Sequence, residues 1–311
     1  MAVKFGKLAS AVALATLAIG SVQAKEGGDQ YPNGAETWLA GAVPPPGNYF
    51  INYFGYYSGD LVDGSGNKVP GAGVDAWFNA FRFVQTTEHK ILGGNWGWHV
   101  IVPLVHQDVA LGAGSKSKFG LGDITVNPFI VSWHAKNWHW AIGLDVNLPV
   151  GAYKSGEPRQ SIGANYWSFE PLFAFTYMGD TGWEVSSKIM YNIKTTNNDF
   201  RPALGAPKMD YESGDEFHMD YLVGKRFGPW GVGLSGYYLK QTTNDKLNGQ
   251  TISSALGPWS DGRKGEVFAI GPTVSYTTKG GVHFTGQWNR ETSAENRFEG
   301  DKFILKLIMP L

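Results

Sequence analysis

Polar and apolar residues alternate with a period of two along most of the chain after residue 48. The clearest segment spans residues 138–149, where His139, Asp145 and Asn147 fall on a polar or small face. The opposite face is wholly apolar and carries Trp138, Trp140, Ile142, Leu144, Val146 and Leu148. A β-strand with this pattern presents one face to an apolar medium and the other to a polar one.

The same alternation recurs in segments 165–178, 183–194, 217–223, 282–289 and 302–311. Two earlier segments, 74–87 and 96–107, have less distinct faces. In segment 74–87, Asp75 and Asn79 share the parity of the aromatic residues Trp77 and Phe81. We predict an all-β fold with about twelve strands between residues 48 and 311.

The connectors between these segments alternate in length. The short ones are 88–95, 135–137, 179–181, 227–229 and 278–281, and the long ones are 58–73, 108–120, 151–163, 195–213, 243–264 and 291–300. A soluble sandwich has no reason to sort its loops in this way. The pattern predicts a closed antiparallel transmembrane β-barrel with short periplasmic turns and long extracellular loops.

Seven of the twelve tryptophans lie within a few residues of the short connectors. They are Trp96, Trp98, Trp133, Trp138, Trp140, Trp183 and Trp230. Core tryptophans of a soluble protein would lie in the middle of strands, whereas a belt at one end is typical of aromatic anchors at a membrane–water interface. A closed sheet is also required in lipid, because an open edge would leave backbone groups unpaired in hydrocarbon.

The first 24 residues have the features of a secretory signal peptide. Lys4 and Lys7 precede an apolar stretch, residues 8–20, and Val22-Gln23-Ala24 ends the segment with small residues at the cleavage positions. The apolar stretch is shorter than the roughly 20 residues that a spanning helix needs. We predict cleavage after Ala24 and a final location in the bacterial outer membrane.

The predicted domain organisation is a signal peptide at residues 1–24, an N-terminal segment at 25–47 and the barrel at 48–311. Residues 25–43 carry no alternating pattern, so they either fold into the lumen as a plug or lie in the periplasm. The three prolines Pro44, Pro45 and Pro46 then form a stiff entry to the first strand.

Charge and cysteine content narrow the possible functions. Two lysines and no acidic residue lie in the predicted signal peptide, so its removal changes the net charge from −1 to −3. This charge indicates no nucleic-acid partner. The absence of cysteine excludes disulfides, thiolate metal sites and cysteine nucleophiles. We predict no cofactor and no metal.

The expected partners are outer-membrane lipid and lipopolysaccharide, with the barrel assembly machinery during biogenesis. Four basic residues on predicted outer loops fit either lipopolysaccharide phosphates or ordinary solvated charges. They are Lys116, Lys118, Lys154 and Arg159.

The polar faces of the strands supply candidate lumen-lining residues of both charge signs. They are Asp145, Asn147, Tyr166, Glu170, Glu184, Lys188, Asn192, His218, Asp220, Tyr237, His283, Gln287 and Glu291. These residues form either a polar conduit or a lattice of internal ion pairs that fills the barrel, because buried charges are usually paired. The two tyrosines are candidates for contact with an aromatic solute.

We predict no enzymatic activity. The seven histidines are scattered, and none lies beside a serine in a recognisable motif. Since a catalytic triad is defined by geometry rather than by sequence order, a membrane hydrolase remains an alternative. It would require a Ser–His pair within hydrogen-bond reach on the outer wall. A non-transporting structural or adhesive barrel is a second alternative, and it would have a blocked lumen.

Several short motifs occur in order along the mature chain. They are PNGAETW at 32–38, AVPPPGNYF at 42–50, GLGDI at 120–124, LPVGAY at 148–153 and GANYWS at 163–168. In this order they resemble the outer-membrane family named for involvement in the meta-pathway of phenol degradation. The resemblance implies an outer-membrane channel for passive uptake of small hydrophobic or aromatic compounds. It supplies no catalytic residues.

Overall fold

The computed structural model describes residues 29–112, 114–254 and 260–311, so the predicted signal peptide lies outside the described residues. The strands are β1 Gly47–Val62, β2 Lys68–Ile91, β3 Gly94–Leu111, β4 Ser115–Leu121, β5 Ile124–His134, β6 Trp138–Leu148, β7 Ser168–Met178, β8 Trp183–Lys194, β9 Asn197–Phe200, β10 Met209–Glu212, β11 Glu216–Phe227, β12 Trp230–Gln241, β13 Lys246–Leu247, β14 Gln250–Thr251, β15 Glu266–Thr277, β16 His283–Glu295 and β17 Phe298–Pro310. In the described ranges no helix is long and apolar enough to cross a membrane.

The strands close into a barrel because β1 pairs antiparallel with both β2 and β17. Strands β4 and β5 follow one another along β3 and together occupy one position in the barrel. Strands β9, β10, β13 and β14 form a separate sheet. The remaining order confirms a closed antiparallel barrel of twelve strand positions.

The alternating faces lie as the sequence predicts. In β6, Trp138 is 50% exposed on the outer face, whereas Asp145 is 1% exposed on the inner face. The ambiguous segment 74–87 is resolved in β2, where Asp75 and Asn79 face outward with the aromatic residues. They are tolerated there because they bond across strands, Asp75 with the Tyr56 hydroxyl at 3.0 Å and Asn79 with the Asn52 amide at 2.7 Å.

Three of the predicted long loops are wrong. Segments 58–73, 108–120 and 291–300 are mostly strand. The turns in two of them are only 63–67 and 296–297, and in the third Leu111 of β3 and Ser115 of β4 are only four positions apart. The predicted short turn 88–95 likewise shrinks to 92–93. Outside the hydrocarbon layer the outward face of a strand needs no apolar residues, so the composition of these extensions resembles that of a loop. Their inward faces are buried at Leu61, Ala72, Val109 and Leu111.

Two aromatic belts mark the boundaries of the hydrocarbon layer. Near the short turns, Trp138, Trp183, Phe227 and Trp230 are exposed. Near the other end, cross-strand register aligns an outward row of Trp288, Phe303, Tyr56, Trp77, His106 and Phe119. The next outward row is polar and consists of Arg290, Asp301, Ser58, Asp75, Asp108 and Ser117. The outer edge of the lipid layer therefore lies between these two rows.

The connections 195–215 and 242–265 carry the four-stranded sheet outside the barrel, built around buried Phe200, Tyr211 and Ile252. Asp245 is fully buried beside this sheet. Its carboxylate accepts hydrogen bonds from the Tyr211 hydroxyl at 2.6 Å and the Gly214 amide at 2.8 Å. Burial raises the pKa of Asp245 from 3.8 to about 6, while these two bonds lower it.

A raised carboxyl pKa makes the folded outer sheet bind a proton more tightly than the unfolded chain does. We therefore expect the outer sheet to gain stability as the pH falls from above 6 towards 4, by up to about 3 kcal/mol. Amide hydrogen exchange in β10 and β13 at pH 7.5 and pH 5, corrected for intrinsic rates, measures this gain. In Asp245→Asn, whose side chain does not titrate, the two stabilities should be equal; an unchanged pH dependence would contradict the assignment.

Candidate functional site

Residues 29–46, here called the inner segment, lie against the inward faces of the strands. Asp220 on β11 fixes the start of this segment. Its carboxylate accepts hydrogen bonds from the Tyr31 hydroxyl at 2.6 Å, the Gly34 amide at 2.7 Å and the Glu36 amide at 3.0 Å. These bonds hold the segment by its backbone, and they satisfy a carboxylate that is fully buried.

Glu36 of the inner segment joins three neighbouring strands. Its carboxylate accepts hydrogen bonds from Tyr53 on β1 at 2.6 Å and Arg82 on β2 at 2.5 Å, and it pairs with Lys306 on β17 at 3.1 Å. Because breaking a buried ion pair leaves an uncompensated charge, this cluster resists displacement of the segment.

Trp38 fills the lumen near the short turns. The side chain is fully buried, and its indole N–H donates to Thr273 Oγ1 at 3.0 Å. The ring lies against Gly224 on β11, where a Cβ atom would be only 2.4 Å from it, and the Arg226 guanidinium lies 5.2 Å from the ring centroid. The inner segment therefore runs along the lumen from the end with the long connections, where Asp29 pairs with Arg297 at 2.8 Å, to the short turns.

A cavity of about 260 Å³ lies between the inner segment, the barrel wall and the outer connections. One wall is apolar and is formed by the inward residues of two adjacent strands. They are Val74, Ala76, Phe78 and Ala80 on β2, with Ile101, Pro103 and Val105 on β3. The two strands are in register, with Phe78 opposite Val105 and Ala80 opposite Pro103.

The remaining lining is polar and carries both charge signs. Its ionisable side chains other than tyrosine are Asp29, Glu36, Arg82, Asp123, Asp145, Glu170, Lys188, Glu216, Glu291, Arg297 and Lys302. Most bond to one another or to the wall behind them. Asp145, for example, contacts His99 at 3.1 Å and Lys188 at 3.3 Å. The cavity thus has an apolar side and a polar side of largely compensated charge.

Five of the thirteen candidate residues line this cavity, namely Asp145, Asn147, Glu170, Lys188 and Glu291. Seven others are buried on strands but contact the inner segment, the wall or one another, namely Glu184, Asn192, His218, Asp220, Tyr237, His283 and Gln287. Tyr166 is misassigned, because β7 begins at Ser168 and Tyr166 lies buried in the connection before it. Asn165, with φ of 58°, interrupts the extended backbone there.

Arg82, Lys302 and the apolar wall of the cavity were not predicted from the sequence. A signal for both charged residues was present. Arg82 shares the parity of Ala76 and Ala80, and Lys302 shares that of Lys306. Arg82 was not recognised because the faces of segment 74–87 are indistinct. Lys302 was not recognised because it lies next to the predicted loop 291–300.

Of the four basic residues predicted on outer loops, Lys116 and Lys118 lie on β4. Lys116 and Arg159 both pair with Glu157, and Lys154 bonds to Gln160. A contact of these residues with lipopolysaccharide stays a prediction.

A β-bulge lies in the barrel wall beside the cavity. β3 pairs with β4 up to Leu104 opposite Leu121 and with β5 from Ile101 opposite Thr125, so one extra residue lies between β4 and β5, and the Gly122 amide still donates to the Pro103 carbonyl at 2.9 Å. Asp123 of this bulge bonds to the outer connection 149–167. Its carboxylate accepts hydrogen bonds from the amides of Gly151 at 2.9 Å and Ala164 at 2.8 Å. Gln30 of the inner segment also donates to it, at 2.9 Å.

One Ser–His pair lies on the outer wall. Ser117 Oγ on β4 is 2.9 Å from His106 Nε2 on β3, and His106 Nδ1 is 3.7 Å from Asp108. The imidazole stacks on Trp77 in the upper aromatic belt, with ring centroids 5.5 Å apart. Strand pairing brings these residues together across the β3–β4 turn, which is why no sequence motif revealed them.

Residues 58–307 match the family described as putative MetA-pathway of phenol degradation. The chain belongs to this family. The match confirms the resemblance seen in the short motifs and covers most of the barrel. A search of curated proteins finds no match to this chain.

Solved structures show the same architecture. The COG4313 outer membrane channel from Pseudomonas putida F1 is similar with a TM-score of 0.72 at 14% identity, over 86% of this chain and 97% of that one. The transport unit of the autotransporter AIDA-I from Escherichia coli gives 0.53 at 8% identity, over 86% and 91%. The β domain of the Bordetella autotransporter BrkA gives 0.51 at 8%, over 86% and 100%. The fold is that of outer-membrane barrels, which supports an outer-membrane location.

The seat of Trp38 can be tested with one substitution. In Gly224→Val the new side chain would overlap the indole ring, and overpacking of this kind costs about 1–3 kcal/mol. We expect displacement of the inner segment and a higher ion conductance in planar bilayers. Gly286→Val, whose Cβ meets Leu305 at 3.4 Å and Val274 at 3.7 Å, both ordinary contacts, is the matched control and should conduct as wild type does. Heat-modifiable gel mobility shows that each protein is folded. Equal conductance of wild type and both variants would contradict the position assigned to Trp38.

Proposed function

We propose that this protein is an outer-membrane channel for passive uptake of small hydrophobic or aromatic compounds. The observation that carries the proposal is the cavity inside the barrel, whose apolar wall on β2 and β3 faces a polar side. Burial of apolar surface favours such solutes by about 25 cal/mol per Å². Similarity to an outer membrane channel and membership of a family named for phenol degradation support it.

The proposed route leaves the cavity sideways. The inner segment runs through the lumen, so an axial path requires release of its bonds to Asp220 and of Glu36 from Arg82 and Lys306. The bulge at residues 122–123 adjoins the cavity, and the Gly122 amide holds it to the Pro103 carbonyl at 2.9 Å. Opening of this bond would give a lateral exit that delivers an apolar solute directly into the membrane.

The same proposal includes the membrane partners of the barrel and its route of export. The two aromatic belts fit contact with outer-membrane lipid and lipopolysaccharide. A signal peptide cleaved after Ala24 and handling by the barrel assembly machinery belong to this proposed route of export. The thirteen candidate residues are proposed as lining or supporting groups of the lumen, with the exception of Tyr166.

Uptake can be measured with radiolabelled aromatics and alkanes in deletion and complemented strains. We expect the complemented strain to take up apolar aromatics faster than the deletion strain. Phe78→Asn replaces a ring of the apolar wall with an amide and should slow this uptake about tenfold, equivalent to about 1.4 kcal/mol of lost contact.

Each strain is compared at equal amounts of folded barrel in the outer membrane, with uptake of acetate as a control solute. Equal uptake by the deletion and complemented strains for every compound in the panel, together with no conductance in planar bilayers, would refute the channel. A structural or adhesive barrel would then be the better description.

The Ser117–His106 pair favours a second candidate function, hydrolysis of lipid esters. His106 Nε2 would take the Ser117 Oγ proton as Oγ attacks the ester carbonyl, and would then return the proton to the leaving alcohol. Water would release the acyl group by the same route. The pair lies at the outer edge of the lipid layer, and Asp108 can orient the imidazole.

Purified protein in mixed micelles with a phospholipid tests this candidate. Ser117→Ala and His106→Phe should each lower fatty-acid release at least about a hundredfold, because a positioned base contributes that much. Ser115→Ala on the same strand is the matched control. Absence of release by wild type, or equal release by Ser117→Ala, would exclude hydrolysis at this pair.

A further inference from the structure

The buried side-chain atoms of the cavity lining that lack a hydrogen-bond partner are donors. Among the lining residues that the structure describes, the buried side-chain atoms without a partner are the Nε atoms of Arg82 and Arg297. Both are guanidinium N–H donors. A buried polar atom without a partner costs free energy that a bound ligand can recover.

The lining carboxylates, by contrast, are well supplied with donors. Glu291 accepts hydrogen bonds from the hydroxyls of Tyr57 at 2.7 Å and Tyr237 at 2.6 Å, and from the Gly300 amide at 2.7 Å. Asp145 accepts from Asn127 at 2.7 Å in addition to its contacts with His99 and Lys188. A ligand that needs an acceptor from the protein therefore finds these oxygens already engaged.

Lys302 on β17 is the lining cation with the least compensated charge. Its ammonium donates to the Asn33 carbonyl at 3.2 Å and lies over the rings of Tyr237 at 4.5 Å and Tyr57 at 5.4 Å. Within residues 29–112, 114–254 and 260–311, it forms no salt bridge within 4.0 Å. An ammonium has three N–H donors, so capacity remains for a ligand.

Cross-strand register fixes the distance from Lys302 to the apolar wall. Lys302 is opposite Tyr57 on β1, and Tyr57 is opposite Ala76 on β2. Two strand spacings, about 10 Å, therefore separate the backbone of Lys302 from the edge of the apolar wall. A small molecule can touch the wall with its apolar body while a polar atom reaches the ammonium.

We propose that the cavity selects solutes with an apolar body and a hydrogen-bond-accepting oxygen, and that Lys302 binds this oxygen. The inference rests on the proposed function and adds a substrate feature to it. The solute's apolar part lies on the β2–β3 wall, and its hydroxyl, carbonyl or carboxylate oxygen accepts from the Lys302 ammonium. Hydrocarbons without an oxygen gain only the first of these contacts.

Proteoliposomes loaded with wild-type protein or Lys302→Met provide the test. Initial uptake rates are measured for phenol, benzoate and toluene at low concentration, after subtraction of the protein-free rate. Phenol carries a neutral oxygen and benzoate an ionised one, so comparing the two compounds shows which kind of oxygen Lys302 binds. The methionine keeps the length of the side chain and removes its donors. Lys225→Met, on β11 outside the cavity lining, is the matched control.

In wild type and Lys225→Met we expect protein-mediated uptake of phenol or benzoate to exceed that of toluene. In Lys302→Met this preference should fall about tenfold, as expected for loss of one charge-assisted hydrogen bond, while toluene uptake is unchanged. An unchanged preference in Lys302→Met, or no preference in wild type that still takes up toluene, overturns the role of Lys302 alone. Absence of uptake of all three compounds by folded wild-type protein instead refutes the channel itself.

Discussion

The requirement that every backbone polar group in hydrocarbon finds a partner within the protein governs this structure. The pairing of β1 with β17 meets it by removing both sheet edges. Closure then divides each strand into a lipid face and a lumen face. The lipid face is bounded by aromatic residues at both ends, and the lumen face must bury whatever polar residues the alternation places inside.

A closed lumen of twelve strands has more room than its inward side chains fill, and the inner segment occupies part of it. This segment also balances charge. Glu36 compensates Arg82 and Lys306, which face the lumen from adjacent strands, and the segment's own N–H groups satisfy Asp220. Removing the segment would therefore leave buried charges of both signs without partners, which is more costly than losing apolar contacts of the same area.

The interior left beside the inner segment is uneven, and this unevenness gives the cavity its character. β2 and β3 turn apolar residues inward as well as outward, whereas β6 to β8 turn charged residues inward. Beside the apolar strands, β4 and β5 are joined by a β-bulge at residues 122–123, where Asp123 bonds the inner segment through Gln30. An apolar wall, a bulge in the barrel and the inner segment thus meet at one place.

The alternation of residues such as Trp138 to Leu148, together with the tryptophans near the short turns, was sufficient to predict a closed membrane barrel, because a soluble sheet with this alternation would have its tryptophans in mid-strand. Local pattern could not show that 58–73 is a hairpin, since a strand beyond the lipid layer needs no apolar outer face. It also could not assign Arg82 and Lys302 to one cavity, because they are 220 residues apart and meet only through the β1 pairings. The sequence by itself determined which residues face lipid, since that depends on neighbours two positions apart. Only the tertiary structure decided which inward charges compensate one another and which donor stays available, since that depends on closure of the barrel around the inner segment.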